Sequence, residues 1–310
     1  MVSLKTYEDL GREREALISG KITDNEQMND RHDEIIRETF DVARATIESE
    51  QGPPPAPFAF FLMGSAGRRE QTTSSDQDHG IIFKGEDVQD YFLKLGKEVS
   101  EGLDTVGYPL CDGNVMASNS LWCRSVEAFH HQVAGWIEEE SWQSLRNFSI
   151  IFDGRVLVGE PEFLENVKIE ACHLIERNHL YGRLRDNVGY VKKGVGAFGQ
   201  LLTDHPHSDH LEIKRTVYFP FVNAIRLLAM KEKETSAPTV QRMNGMEGAY
   251  PFLNSYRDDF ESLLSLRVEK DVITPDRLSK EEKKEWKYLI RRGRKLFREV
   301  SRIMEEGNES

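Results

Sequence analysis

Cysteine, long apolar runs and excess positive charge are all scarce in this chain of 310 residues. Its three cysteines, Cys111, Cys123 and Cys172, are widely spaced and form no Cys-x-x-Cys pair, which argues against a zinc or disulfide framework. We therefore expect three buried, reduced thiols. No apolar run approaches the ~20 residues of a membrane-spanning helix, and residues 1–10 lack the features of a secretory signal. We expect a cytoplasmic protein that does not bind a membrane.

The charge balance limits the class of partner. Lysine and arginine number 41 against 53 aspartates and glutamates, which gives a net charge of −12. Nucleic acid repels such a chain unless a strong local basic patch is present. A nucleic-acid polymer is therefore not expected as substrate. A nucleotide delivered with magnesium, or a protein partner, remains compatible with this charge.

The apolar pattern predicts an α+β fold in three parts. These are an N-terminal helical arm (1–52), a small mixed-sheet domain with flanking helices (53–160) and an all-helical C-terminal domain (161–310). Prolines 53, 54, 55 and 57 end the arm, because proline removes backbone donors and fixes φ. Predicted strands cover 58–63, 79–84, 114–117 and 148–153. Predicted helices cover 3–50, 88–106, 121–139, 161–202, 211–232, 236–269 and 278–306.

The segment 64–78 carries the strongest chemical signal. Gly64 and Ser65 directly follow the apolar run 58–63, and Asp76 and Asp78 precede the next one. Residues i and i+2 of a strand point to the same face, so the two aspartates can aim oxygen ligands at one point. Magnesium in proteins commonly uses one or two carboxylates together with substrate phosphates. The segment therefore predicts metal-assisted phosphoryl or nucleotidyl transfer.

The turn at 64–65 is a candidate phosphate site. Gly64 permits a backbone geometry closed to other residues, and Ser65 offers a hydroxyl and a backbone N–H. The start of a following helix would add N–H groups. Arg68 and Arg69 could contribute positive charge to a triphosphate.

Several motifs together resemble a known superfamily. Gly64-Ser65-x-Gly67-Arg68-x-Glu70, followed by Ser75-Asp76-x-Asp78, resembles the signature of DNA-polymerase-β-like nucleotidyltransferases, in particular the branch of PII-protein uridylyltransferases and glutamine-synthetase adenylyltransferases. Segments 111–117, 152–155 and 214–242 are similar to the signal-transduction nucleotidyltransferases. Those proteins often carry CBS or cyclic-nucleotide-binding modules, and this sequence resembles neither module.

The resemblance implies an activity and a cofactor. It implies transfer of AMP or UMP from ATP or UTP to a hydroxyl of a protein or small molecule, with release of pyrophosphate. Two Mg²⁺ ions, or Mn²⁺ in their place, would lie between Asp76, Asp78, a third carboxylate and the triphosphate. One ion would activate the acceptor hydroxyl and the other would neutralise the leaving pyrophosphate. Gly64, Ser65 and Arg68 would hold the nucleotide.

Two residues are candidates for the third carboxylate. Asp153 ends the predicted strand 148–153, and in the superfamily the third ligand lies on a strand beside the paired aspartates, so Asp153 is preferred. Asp112, in a glycine-bearing loop, is the rival. Lys214 and Arg226 lie in an apolar helical segment, where a charge needs a partner. Lys214 and Arg226 would face the cleft and meet the triphosphate or the metal carboxylates, and the alternative for both residues is interdomain salt bridging.

Two other functions stay open at this point. A non-catalytic nucleotide-sensing or scaffolding protein could retain the same fold. An antibiotic nucleotidyltransferase is a minor alternative, because an acidic cleft would attract a cationic aminoglycoside. The sequence names neither the acceptor, the base nor the oligomeric state.

Overall fold

The chain forms two compact units, Met1–Ala171 and Cys172–Ser310. The computed structural model describes residues 5–20, 24–85, 87–189, 191–204, 209–268 and 270–306. The predicted boundaries after residues 52 and 160 stay predictions. In chain order, the first unit contains α1 (Tyr7–Ser19), α2 (Asn25–Gln51), β1 (Phe58–Leu62), α3 (Gly64–Arg68), β2 (His79–Phe83), α4 (Gln89–Val106), β3 (Cys123–Ser125), α5 (Val126–Glu139), α6 (Trp142–Phe152) and β4 (Arg155–Gly159). Helix α7 (Pro161–Arg177) begins in the first unit and ends in the second.

The first unit is built on a four-stranded mixed sheet in the order β3-β2-β1-β4. Strand β1 pairs antiparallel with both β2 and β4, whereas β2 and β3 are parallel. Helices flank this sheet. The predicted α+β class, with a small mixed sheet and a helical C-terminal region, is confirmed.

Aromatic contacts on both faces of β1 hold the helices to the sheet. On one face Phe60 stacks on Phe40 of α2, with ring centroids 4.6 Å apart. On the other face Phe61 meets Phe129 of α5 edge-on at 5.9 Å. Burial on both faces explains why the sequence of β1 is apolar throughout rather than alternating. Helix α2, from the predicted arm, is thus part of the hydrophobic core of this unit.

Three local predictions in the first unit are wrong. The residues predicted as a strand over 148–153 form the last turns of α6, and the strand β4 follows them directly. Ser141 caps α6 by accepting a hydrogen bond from the backbone N–H of Ser144, which starts a helix well before the apolar run. Residues 114–117 form no strand, and the short β3 lies inside the predicted helix 121–139.

The second unit is mainly helical. It contains α8 (Tyr181–Val188), α9 (Phe219–Glu232), α10 (Thr239–Met246), α11 (Asn254–Arg267), α12 (Lys280–Glu306), the short strands β5 (Leu211–Glu212) and β6 (Val272–Ile273), and a π-helical turn at Lys214–Tyr218. A helix was predicted over 161–202, but α7 and α8 end at Arg177 and Val188, and the described residues 191–202 are not helical. None of the helices that the structure describes is long and apolar enough to cross a bilayer.

We predict that Phe40→Ala strongly destabilises the first unit. Phe40 is fully buried, and truncating such a ring costs about 3–5 kcal/mol of the free energy of unfolding. Urea denaturation, with amide hydrogen exchange read in β1 and β2, measures this loss. Phe198→Ala is the matched control, because Phe198 is 98% exposed and its removal should change stability by no more than about 0.5 kcal/mol. Similar losses in the two variants would contradict the assignment of the core.

Candidate functional site

Asp76 and Asp78 lie in extended backbone immediately before β2, and both side chains are half-buried. The carbonyl of Asp78 accepts a 2.8 Å hydrogen bond from the backbone N–H of Met63, which continues the pairing of β1 and β2 beyond the strands. Gln77 between them is buried. The three residues therefore alternate, with one buried amide between two carboxylates, as the spacing of two predicts.

Gln77 fixes the backbone between the two carboxylates. Its Nε2 donates to the carbonyls of Ser100 (3.2 Å) and Tyr108 (3.1 Å). Its Oε1 accepts from Nε2 of His79 at 2.8 Å. Nδ1 of His79 in turn accepts from the backbone N–H of Ala117, so the ring is the neutral tautomer with hydrogen on Nε2. Complete burial lowers the pKa of His79 to about 3, which keeps this arrangement neutral.

Gly64 packs directly against the Asp78 carboxylate. Its φ is 56°, in the left-handed region, and a Cβ added there would lie 2.2 Å from Oδ2 of Asp78. Ser65 follows, and its hydroxyl is 3.4 Å from that of Ser75. The Ser75 hydroxyl accepts from the backbone N–H of Thr72 at 2.9 Å. The structure therefore brings Gly64, Ser65 and Asp78 together, and their predicted roles on phosphate and metal stay predictions.

Cys111 is the residue at this site that the sequence reasoning missed. Its Sγ and one carboxylate oxygen from each of Asp76 and Asp78 all lie within 4.8 Å of one another. Burial, reinforced by the charge of Asp78, raises the pKa of the Cys111 thiol to about 12. None of the three cysteines is in a disulfide; Cys123 and Cys172 are buried as expected, whereas Cys111 is only half-buried. The sequence signal that could have indicated Cys111 was its position at the start of segment 111–117, one of the segments that resemble a known family.

The donor set suits a divalent metal. Two carboxylates converging beside a backbone turn are the ligands that Mg²⁺ and Mn²⁺ prefer. Among the described residues, the acidic, histidine and cysteine side chains that converge closely enough to hold an ion are Asp76, Asp78 and Cys111. Asp112 lies next to Cys111 in an exposed turn.

Arg68, Glu70 and Asp153 form a buried ionic cluster behind α3. Nε of Arg68 donates to Glu70 at 2.7 Å, and Nη1 donates to Asp153 at 2.5 Å. Asp153 is 1% exposed, and its carbonyl oxygen packs so closely on Gly67 that a Cβ there would lie 2.0 Å away. The structure places Asp153 at the end of α6 and pairs it with Arg68 rather than with Asp76 and Asp78. The roles of Asp153 as third ligand and of Arg68 on phosphate stay predictions.

Helix α2 also holds the C-terminal end of α3. Asp33 accepts from Arg155 with one carboxylate oxygen and from Arg69 with the other, both at 2.7 Å. Arg155 also donates to the carbonyls of Ala66 (3.1 Å) and Gly67 (3.2 Å), which lie in the last turn of α3. Neither Asp33 nor Arg155 had a predicted role. Their partners are distant in sequence, so no local spacing could have indicated them.

Lys214 and Arg226 belong to the second unit. Lys214 is exposed, with Nζ 6.0 Å from the centre of the Phe219 ring. Arg226 is buried and donates to Oδ1 of Asn223 at 2.8 Å. The predicted contact of Lys214 with a triphosphate stays a prediction.

Two protein-family profiles match the chain. Residues 19–143 match the family described as "Putative nucleotidyltransferase DUF294", and residues 178–303 match "Putative nucleotidyltransferase substrate binding domain". No curated protein sequence matches the chain significantly. The first segment contains Gly64, Asp76, Asp78 and Cys111, the second contains Lys214, and Asp153 lies between them.

We predict that Gly64→Ala abolishes divalent-metal binding. Alanine at this φ is strained by about 1–3 kcal/mol, and its Cβ would displace the Asp78 carboxylate. Titration with Mn²⁺, followed by electron paramagnetic resonance, measures the loss. Gly85→Ala separates the two effects, because Gly85 has a φ of 90° but no atom within 4 Å of an added Cβ. Loss of metal binding in both variants would mean that Asp78 is not the cause.

We predict that the first unit loses stability as pH falls from about 6.5 toward 4. His79 and His32 are buried and neutral; burial lowers the pKa of His32 to about 4, with the charge of Arg14 adding to the effect. Below their unfolded pKa of about 6.5 the unfolded chain takes up protons that the folded chain does not. Each histidine should therefore cost about 2 kcal/mol of the free energy of unfolding at pH 5. His79→Gln should reduce the difference between pH 7.5 and pH 5 in urea denaturation, and an unchanged difference would refute this.

Proposed function

Because this chain belongs to the nucleotidyltransferase family, we propose that it is a divalent-metal-dependent enzyme that transfers a nucleoside monophosphate from a nucleoside triphosphate to a hydroxyl group. The observation that carries the metal dependence is the convergence of Asp76 and Asp78 beside Gly64 and Ser65. Family membership supports nucleotidyl transfer in general. The metal, the nucleotide and the acceptor are proposals.

The proposed reaction forms one bond and breaks one. The acceptor oxygen attacks the α-phosphorus of the triphosphate, and the bond from that phosphorus to the β-phosphate bridging oxygen breaks. Pyrophosphate leaves with the bonding electron pair, and the acceptor hydroxyl loses its proton. We propose ATP or UTP as donor, so that AMP or UMP is transferred to a protein or small molecule in a regulatory reaction.

The chain's own residues have distinct tasks in this proposal. Asp76 and Asp78 would hold Mg²⁺ or Mn²⁺, two ions in all, and Gln77 and His79 keep the intervening backbone in place. When bound, the metal would supply charge neutralisation on the phosphates and acidify the acceptor hydroxyl. The Ser65 hydroxyl and the backbone beside Gly64 would contact phosphate oxygens, because glycine lets a ligand approach the main chain closely.

The predictions for Asp153 and Arg68 depend on each other. The two side chains are paired with each other and buried, so neither is available to metal or phosphate while the pair is intact. A rotation that frees Asp153 toward the metal would also free the Arg68 guanidinium toward phosphate. We therefore propose Asp153 as third ligand only together with this exchange, and Asp112 remains the rival.

We propose the partners and the compartment of the protein from its net charge, its family and its cysteines. The net charge of −12 disfavours a nucleic-acid polymer as acceptor. The second unit matches a substrate-binding profile, so we propose that it binds the acceptor or the nucleotide, with Lys214 contacting the triphosphate. The three cysteines, none of which is in a disulfide, suit a reducing compartment, and we propose the cytoplasm.

We predict that the purified chain releases pyrophosphate from ATP or UTP in the presence of Mg²⁺ and a suitable acceptor. Asp76→Asn and Asp78→Asn should each reduce the rate roughly a hundredfold or more, because each removes charge from the metal site. Release of pyrophosphate and transfer of label from α-³²P-labelled ATP, UTP, CTP and GTP to candidate acceptors are measured together. Asp104→Asn, at an exposed position of α4, is the control and should retain the full rate.

The outcomes also separate the alternatives. Nucleotide binding without magnesium and without turnover, unchanged by Asp76→Asn, would contradict an enzyme and favour a nucleotide sensor. Comparison of Asp153→Asn with Asp112→Asn identifies the third ligand, because only the ligand's substitution should raise the Mg²⁺ concentration needed for half-maximal rate.

A further inference from the structure

We propose that Asp76, Asp78 and Cys111 form a mixed oxygen–sulfur site for a thiophilic divalent cation such as Zn²⁺. The ligand atoms of all three lie within 4.8 Å of one another. This inference depends on the proposed function in one respect, which is that the same carboxylates would hold Mg²⁺ during nucleotidyl transfer. Binding of a thiophilic cation would then exclude Mg²⁺.

The loop that carries Cys111 is pinned to the segment that carries the aspartates. The backbone N–H of Gln77 donates to the carbonyl of Pro109 at 3.1 Å, and that of His79 donates to the carbonyl of Val115 at 3.1 Å. These bonds lie on either side of Cys111 in the loop and alternate with Asp76 and Asp78 in the strand extension. Backbone pairing therefore places the loop that carries Cys111 beside the two aspartates.

The loop is also closed on itself. The Cys111 carbonyl accepts a 2.9 Å hydrogen bond from the backbone N–H of Asn114, whose φ is 53°. This tight turn faces Asp112 and Gly113 to solvent and leaves Cys111 half-buried. The thiol is thus sheltered but accessible to an ion that reaches Asp78.

The identity of the ligands determines which cations can use all three. Mg²⁺ takes oxygen ligands and would use the carboxylates without the sulfur. Zn²⁺ binds thiolate sulfur at about 2.3 Å and carboxylate oxygen at about 2.0–2.2 Å, so tetrahedral ligand atoms around one ion lie roughly 3.3–3.7 Å apart. That spacing falls inside the observed limit of 4.8 Å. A thiophilic cation should therefore bind more tightly than Mg²⁺ at the same carboxylates.

The other two cysteines provide matched controls. Cys123 lies in β3 and Cys172 in α7, and both are buried. Neither joins a group of three converging metal ligands in the part of the chain that the structure describes. A metal–sulfur signal at the proposed site should therefore depend on Cys111 and not on these two.

The test uses Cd²⁺ as a spectroscopic probe of the metal-free chain. We expect a cadmium–thiolate charge-transfer absorption that saturates near one equivalent of Cd²⁺ per chain. Cys111→Ala and the closer isostere Cys111→Ser should both abolish the absorption, while Cys123→Ala and Cys172→Ala should retain it. Asp78→Asn should weaken Cd²⁺ binding roughly tenfold or more. Circular dichroism of each variant verifies that it is folded.

A second measurement connects this site with the carboxylates. Zn²⁺ should displace Mn²⁺ from the wild-type chain, and displacement should require roughly tenfold more Zn²⁺ in folded Cys111→Ser. Absence of the absorption in the wild type, or its persistence in both Cys111 variants, would overturn the proposal. A Cys111-dependent absorption in a chain that transfers no nucleotide would uphold this site while refuting the proposed function. Nucleotidyl transfer by a wild-type chain that shows no absorption would refute this site while upholding the proposed function.

Discussion

The contact between the Asp78 carboxylate and the bare Cα of Gly64 is the constraint on which the rest of the candidate site depends. Any side chain at position 64 would occupy the space of Oδ2 of Asp78. The contact joins the turn after β1 to the residues before β2, so the proposed phosphate-binding backbone and a proposed metal ligand share one location. The buried side chains of Gln77 and His79 hold the backbone at this location through neutral hydrogen bonds.

Charge is arranged in two separate places around α3. Behind it, Arg68 neutralises part of the charge of Glu70 and Asp153 in a buried cluster, and Asp33 of α2 joins Arg69 and Arg155. Removing one partner of such a cluster is costly because it leaves an uncompensated buried charge. The cluster therefore specifies where α3 lies. The half-buried Asp76 and Asp78, which we propose as cation ligands, lie outside this buried cluster.

This division gives the family's nucleotidyl transfer a physical basis in this chain. A rigid turn, two converging carboxylates and a scaffold of buried polar contacts are what positioning and electrostatic stabilisation of a triphosphate require. In our proposal, Cys111 adds a sulfur ligand at the same location. A thiophilic cation bound at Asp76 and Asp78 would then prevent Mg²⁺ or Mn²⁺ from binding there.

Spacing along the chain determined much of this protein by itself. The period of two in a strand sets Asp76 and Asp78 on one side of the backbone, and the apolar run before Gly64 predicts β1, because both features depend only on neighbouring residues. Tertiary structure decided the rest. Residues 148–152 are helical because the cap at Ser141 and tertiary packing favour a helix, although their apolar composition fits a strand equally well. Cys111 reached the carboxylates through a loop pinned to β2, and Asp33 reached Arg155 across 122 residues. Contacts over such separations arise only when the sheet and helices have packed.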